Sequence, residues 1–124
     1  MKTIEINSLV LAYYGDSIYE NYVRHYLILQ NIATIKELQQ KAVFYVSATA
    51  QASFLQKLLD KHYFSEEELD VLRRARNAKG HAHPKGCTMV TYKKATALEA
   101  LIGYLQLEGK KTRVLEIMKE IMEG

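Results

Sequence analysis

The chain has 124 residues, of which 48% are apolar, and a formal net charge of +3 at neutral pH. This length and apolar content predict a single domain, residues 1–124, with one hydrophobic core. A lone cysteine excludes an intrachain disulfide, and no N-terminal stretch has the basic, apolar and small-residue segments of a signal peptide, so we predict a cytoplasmic protein. No apolar run is long enough to cross a membrane, so we predict no membrane partner.

The pattern along the chain predicts an all-α fold. Proline occurs once and glycine six times, which leaves few turns for strands, whereas strong helix formers are plentiful. The first helix is predicted to begin at Asn7 or Ser8 and to continue through Tyr26, with apolar residues on most sides. Such a helix lies at the centre of a fold or is covered by a partner subunit.

Capping residues mark the next three helices. Thr34, followed three residues later by a glutamate, opens the second helix, and Ser47 begins the third. Ser65 and Glu68 form a capping box for a fourth helix, whose three glutamates in the first turn also suit the helix dipole. We expect this fourth helix to extend from Glu66 to about Ala78.

The C-terminal third begins with a loop. Residues 79–86 contain two glycines and the proline without apolar periodicity, which predicts an irregular segment. A fifth helix is expected from about Tyr92 to Leu107, and Gly109 ends it. The last helix is predicted from about Thr112, with an apolar stripe on one face.

Two carboxylates stand in segments that otherwise have the pattern of a buried helix. Asp16 directly follows Gly15, and Glu99 lies four residues before Gly103. A glycine inside a helix costs about 1 kcal/mol relative to alanine, which indicates a close helix crossing at these positions, although helix packing alone would also explain them. Such a crossing would bring the carboxylates together, and hard divalent cations such as Mg²⁺ prefer carboxylate oxygens. We therefore predict that Asp16 and Glu99 are catalytic metal ligands.

Glu20 is a further candidate ligand, because it lies one helical turn after Asp16. The alternative is an ion pair with Arg24, four residues further along the same helix.

A basic, acid-free stretch precedes the second carboxylate. Between Val71 and Leu98 there are seven Lys or Arg and no acid, next to the loop and among aromatic and histidine side chains. This composition favours contact with RNA or DNA phosphates, although a solvated surface would also account for it. The candidate nucleic-acid-binding residues, which the resemblance described below assigns to RNA, are Arg73, Arg74, Arg76, Lys79, His81, His83, Lys85 and Lys93.

The loop has two other conceivable roles. His81, His83 and Cys87 have the residue types of a zinc site, but a fourth ligand is missing. Cys87 as a nucleophile is disfavoured, because no base is placed beside it.

The chain has nine tyrosines and no tryptophan. Several of them lie on the first helix, where core packing is one explanation and a subunit interface is the other. We assign Tyr13 and Tyr14 to a homodimer interface.

Two segments resemble a known family. The run Leu11–Ser17, which ends in Gly-Asp-Ser, resembles the signature helix of the ribonuclease III catalytic domain, and Ala97–Gly103 resembles the second acidic helix of that family. The short length, the run Arg73–Lys79 and the approach Lys93–Glu99 resemble more narrowly the Mini-ribonuclease III subfamily, which has no separate double-stranded-RNA-binding domain. The match covers essentially the whole chain.

The resemblance implies the ribonuclease III catalytic helical bundle and a Mg²⁺-dependent endoribonuclease, for which Mn²⁺ is a possible substitute. It further implies a homodimer that cleaves double-stranded RNA, leaves a 5′-phosphate and a 3′-hydroxyl, and matures both ends of precursor large-subunit rRNA. Asp16 and Glu99 are the metal ligands carried over, and a ribosomal protein is a further candidate partner.

The chain departs from the full-length family at three acidic positions. By this register, two glutamates and an aspartate are replaced by Leu9, Ala12 and Thr96. A non-catalytic RNA-binding or ribosome-associated protein on the same fold is therefore the alternative function. A purely structural helical module would leave the basic stretch and both glycines unexplained.

Overall fold

The computed structural model describes residues 2–82 and 84–124, and regular structure in them is helical throughout. The predicted all-α class is therefore confirmed. After a short 3₁₀ turn at Thr3–Glu5, the six helices are α1 (Ser8–Leu29), α2 (Ile35–Val46), α3 (Ala48–Asp60), α4 (Glu66–Arg76), α5 (Met89–Leu107) and α6 (Lys111–Glu123).

Helix α5 is the central element, and α1, α3, α4 and α6 pack around it. Every residue from Ala95 to Leu105 is buried except Glu99. A helix surrounded by others needs no polar stripe, which explains why this segment is apolar on nearly all sides. Glu99 is thus the one carboxylate in the most buried stretch of the fold.

The helix ends follow the predicted caps closely, with two differences. Helix α4 ends at Arg76, two residues before the predicted Ala78. Helix α5 begins at Met89, three residues before the predicted Tyr92, because the Thr88 side chain accepts a hydrogen bond from the backbone N–H of Thr91. The predicted loop lies between these two ends.

An ion pair joins α4 to α6. Arg113 donates to both carboxylate oxygens of Glu68, at 2.8 and 2.9 Å, and Glu68 also closes the predicted capping box by accepting from the backbone N–H of Ser65. Burial alone would raise the pKa of Glu68, but the hydrogen bonds from Arg113 and Ser65 outweigh it and lower that pKa. No helix among residues 2–82 and 84–124 has the length and hydropathy needed to cross a membrane.

Candidate active site

The site is built on the crossing of α1 and α5 at two glycines. A Cβ atom added to Gly15 would lie 1.7 Å from the backbone oxygen of Glu99, and one added to Gly103 would lie 2.1 Å from the oxygen of Leu11. Because real Cβ contacts below 3.0 Å essentially do not occur, only glycine permits this approach. The predicted close crossing is therefore present, and it places Asp16 beside Glu99.

The two carboxylates have different environments. Glu99 is partly buried, whereas Asp16 is exposed, so the expectation that both are buried is wrong for Asp16. Asp16 occupies the rim of the crossing, where the turn of α1 after Gly15 faces solvent. A partly exposed pair is accessible to an ion or a substrate.

Burial, a hydrogen bond with Asp16 and the negative charge of Asp16 raise the pKa of Glu99 to about 9. The charge of Glu20 acts in the same direction and more weakly. Glu99 therefore keeps a proton at neutral pH as long as no cation is bound. Two carboxyl groups this close together supply the oxygen ligands that a hard divalent cation prefers.

The carboxylate pair opens into a cleft of about 360 Å³. Leu9, Ala12 and Thr96, the three positions at which the resemblance implied missing acids, all line it. The Thr96 hydroxyl is occupied, since it donates to the backbone oxygen of Tyr92 at 3.0 Å. The remaining lining residues are Tyr13, Asp16, Gly80, His81, Ala82, Tyr92 and Glu99.

Glu20 has a partner other than Asp16. Its carboxylate lies 3.6 Å from the guanidinium of Arg24, in the ion pair that the sequence spacing allowed. Within residues 2–82 and 84–124, no three His, Cys, Asp or Glu side chains are gathered closely enough to hold a metal by themselves. The residues that could bind a cation are therefore Asp16 and Glu99, and water or substrate oxygens would complete its coordination. A role for Glu20 stays a prediction.

Gln51 is a site residue that the sequence reasoning missed. Its side chain is only 3% exposed, and its Nε2 donates to Oε2 of Glu99 at 3.4 Å. The available signal was a polar residue on the face of α3 that also carries the buried Leu55 and Leu58. The spacing of i, i+4 and i+7 places all three on one stripe.

Tyr19 lies next to this group. It is fully buried, and its hydroxyl donates to the backbone oxygen of Tyr45 at 2.7 Å. Burial and then the charge of Glu99 raise the pKa of Tyr19. The tyrosine therefore stays neutral and ties α1 to the end of α2.

The predicted RNA-binding residues divide into two sets. Arg73 and Arg74 both pair with Asp70, one helical turn earlier, so part of their charge is compensated. The acid-free stretch in the sequence did not reveal this, because Asp70 stands immediately before it. Arg76, Lys79 and Lys85 are exposed, and Lys93 is half-buried on α5.

His81 attaches the loop to α4. Its Nε2 lies 3.0 Å from the backbone oxygen of Ala75, and its ring packs edge-on against Tyr92. Its Nδ1 is buried without a hydrogen-bond partner within the described part of the chain. Cys87 is half-buried, and His83 lies outside the described residues, so the zinc alternative gains no support from these contacts.

The two interface candidates on α1 differ in exposure. Tyr13 is 84% exposed and Tyr14 is 38% exposed. Val10 adds another exposed apolar side chain one turn before Tyr14. The surplus of apolar surface expected for the first helix is therefore present, next to the carboxylate cleft.

Comparisons with known proteins agree with this geometry. A family model described as the ribonuclease III domain matches residues 9–110. The chain is 40% identical to Mini-ribonuclease 3 of Staphylococcus aureus over 94% of its own length and 87% of that protein, and 45% identical to Mini-ribonuclease 3 of Brevibacillus brevis over 95% and 89%. A crystal structure of a protein from Fusobacterium nucleatum superposes with a TM-score of 0.90 and 33% identity over 100% of both chains.

The family match, the identity over nearly the full length and the shared fold all converge on one assignment. They confirm the resemblance inferred from the Gly-Asp and Glu-Ala-Leu-Ile-Gly segments, and they favour an enzyme over the non-catalytic alternative. The chain belongs to the ribonuclease III family, in its Mini-ribonuclease 3 group, and is an endoribonuclease.

Proposed function

We propose that the chain hydrolyses double-stranded RNA with a divalent cation held by Asp16 and Glu99. The observation that carries the proposal is the glycine crossing of α1 and α5, which joins these two carboxylates at the mouth of a cleft. Ribonuclease III enzymes generally depend on divalent metals, and oxygen ligands favour Mg²⁺, with Mn²⁺ as a substitute.

The protein residues have separate tasks in this reaction. Asp16, exposed at the rim, would offer its carboxylate first, and Glu99 would give up its proton as it becomes a ligand, because metal ligands must be deprotonated. A bound divalent cation supplies Lewis acidity, which makes water a better nucleophile and offsets charge on the phosphate. The oxygen of water would bond to phosphorus and lose a proton, while the bond to the 3′ oxygen breaks and that oxygen takes up a proton, which leaves a 5′-phosphate and a 3′-hydroxyl.

The sparse set of acids limits the cations that can be held. Leu9, Ala12 and Thr96 provide no carboxylate to the cleft. We therefore propose that each site binds one cation tightly. Additional coordination would come from water and phosphate oxygens.

Substrate binding is assigned to the basic surface near the cleft. Arg76, Lys79 and Lys85 are exposed, and Lys79 directly precedes Gly80, which lines the cleft. A-form RNA is recognised mainly through its phosphates, 2′-hydroxyls and shape. Arg73, Arg74, His81, His83 and Lys93 remain predicted RNA contacts. Precursor large-subunit rRNA is the proposed substrate, a ribosomal protein is a further candidate partner, and a cytoplasmic location accords with both.

The proposed active form is a homodimer. One carboxylate pair cuts one strand, so a two-fold dimer supplies the two sites that a duplex requires. Tyr13 and Tyr14, exposed on α1 near the cleft, are the proposed interface residues. The single-domain organisation over residues 1–124 is part of this proposal.

A cleavage assay tests the proposal. We expect the protein to cut a perfectly paired RNA in Mg²⁺, to spare a single-stranded RNA of the same sequence, and to lose activity in EDTA. End labelling should show a 5′-phosphate at the new end. Failure to cut duplex RNA with either Mg²⁺ or Mn²⁺ would contradict the proposal, and cleavage in EDTA would exclude a role for the cation.

A further inference from the structure

We propose that Gln51 is a positioning residue that holds the Glu99 carboxylate in the orientation that binds the cation. This inference rests on the proposed function, since it concerns the same site. It adds a third helix, α3, to a site otherwise built by α1 and α5.

The Gln51 amide lies in the core beside Glu99. Gln51 is 3% exposed, and a buried amide is costly unless it is hydrogen-bonded. Its Nε2 lies 3.4 Å from Oε2 of Glu99. Core packing alone would favour an apolar residue on the buried stripe that Gln51 shares with Leu55 and Leu58. We therefore attribute the glutamine to its hydrogen bond with Glu99.

The group that donates to Glu99 is a neutral amide. A lysine or arginine at this place would neutralise the carboxylates and compete with a cation. The Gln51 amide carries no charge, so it restrains one oxygen of Glu99 and leaves the other acceptor positions of that carboxylate available. Hydrogen bonds of this kind orient metal ligands in other proteins.

The start of α3 is itself held in place by hydrogen bonds. Ser47 caps α3, accepting a hydrogen bond from the backbone N–H of Ala50, the residue before Gln51. Two residues before Ser47, the backbone oxygen of Tyr45 accepts the hydroxyl of the fully buried Tyr19. The end of α2 is therefore tied to α1 close to the point where α3 starts. This connection restrains where α3, which carries Gln51, starts relative to α1.

The test compares Gln51→Met with the wild type. Methionine has nearly the same shape and cannot donate, so the core should stay filled. Gln51→Asn, which keeps the amide but is one methylene too short, provides a second variant in case the first does not fold. Gln56→Met is the matched control, because Gln56 is exposed on the same helix.

Two readouts are needed. The first is direct Mn²⁺ binding to the RNA-free protein, followed by electron paramagnetic resonance, with Asp16→Asn defining the part of binding that belongs to this site. The second is the Mg²⁺ concentration that gives half-maximal cleavage. In Gln51→Met and Gln51→Asn, we expect the Mn²⁺ dissociation constant and the half-maximal Mg²⁺ concentration to rise by about 10–100-fold. The cleavage rate of these variants at saturating Mg²⁺ should change little. In Gln56→Met, neither the dissociation constant nor the half-maximal Mg²⁺ concentration should change.

The outcomes separate the two proposals. If a folded Gln51→Met or Gln51→Asn variant binds Mn²⁺ as the wild type does and needs no more Mg²⁺, Gln51 only fills space and this inference is wrong. If the wild type itself neither binds Mn²⁺ at an Asp16-dependent site nor cleaves RNA, the proposed function has failed instead.

Discussion

Replacing Gly15 with alanine would place a methyl group inside the helix crossing that brings Asp16 to Glu99. The added Cβ would lie 1.7 Å from the Glu99 oxygen and 2.8 Å from the Gly103 nitrogen. Both neighbours are backbone atoms of a buried helix, so neither can rotate away. Helices α1 and α5 would have to separate by roughly 1 Å or more, because Cβ contacts below 3.0 Å essentially do not occur.

The expected cost has two parts. Overpacking of this kind destabilises by about 1–3 kcal/mol, against which alanine regains about 1 kcal/mol of helix propensity. A displacement of about 1 Å at reacting groups can cost a hundredfold in rate, and Asp16 is the next residue along the chain. The cleavage rate should therefore fall about a hundredfold, while the free energy of unfolding falls by no more than about 2 kcal/mol.

Thermal unfolding and duplex-RNA cleavage measure the two effects in the same preparation. We expect the melting temperature of Gly15→Ala to fall by several degrees and the single-turnover cleavage rate by at least about a hundredfold. Asn21→Ala, at an exposed position on α1, is the control and should leave both unchanged. Wild-type activity in Gly15→Ala would refute the argument that the close crossing builds the site.

Three further predictions concern the charges and surfaces of the protein. Between pH 4.5 and about 9 the metal-free folded state holds a proton on Glu99 that the unfolded chain has released, so the free energy of unfolding should fall as the pH rises. In EDTA at pH 8, Glu99→Gln should therefore be more stable than the wild type by about 1–3 kcal/mol and should melt at a higher temperature. Equal melting curves for the two proteins would contradict this prediction. Changing Arg76, Lys79 and Lys85 to glutamine should weaken duplex-RNA binding and reduce the salt slope by about 0.9 for each phosphate that is no longer neutralised, whereas an unchanged slope would mean that these side chains do not touch phosphate. Tyr13→Ser should convert a dimer to a monomer in sedimentation velocity, while Leu115→Ser on α6 should not; a dimer that survives Tyr13→Ser would place the interface elsewhere.

The sequence pattern was sufficient for the helices and for the carboxylate pair. Caps such as Ser65 with Glu68 act locally, and Gly15 with Gly103 indicated a crossing because glycine is costly inside a helix. A side-chain hydrogen bond between distant elements leaves no such mark in the sequence. The hydrogen bond from Gln51 to Glu99 joins residues that are 48 positions apart, and nothing near Gln51 in the chain indicates its partner.

Exposure was also hard to predict from the pattern. Asp16 and Glu99 stand in similarly apolar runs, yet the first is exposed and the second is partly buried, because α5 is enclosed by its neighbours and α1 is not. Arg73 and Arg74 belong to a stretch without acids, but the helical turn brings both to Asp70. Such differences depend on packing rather than on composition.

The central claim is that Asp16 and Glu99 together form the catalytic centre, and Asp16→Asn tests it most directly. The substitution keeps the size of an exposed side chain, so the circular dichroism spectrum and the dimer should be those of the wild type. We predict that single-turnover cleavage of duplex RNA in saturating Mg²⁺ falls by more than about a hundredfold, since a cation contributes several kcal/mol to such reactions. A folded Asp16→Asn variant that cleaves at the wild-type rate would contradict the account.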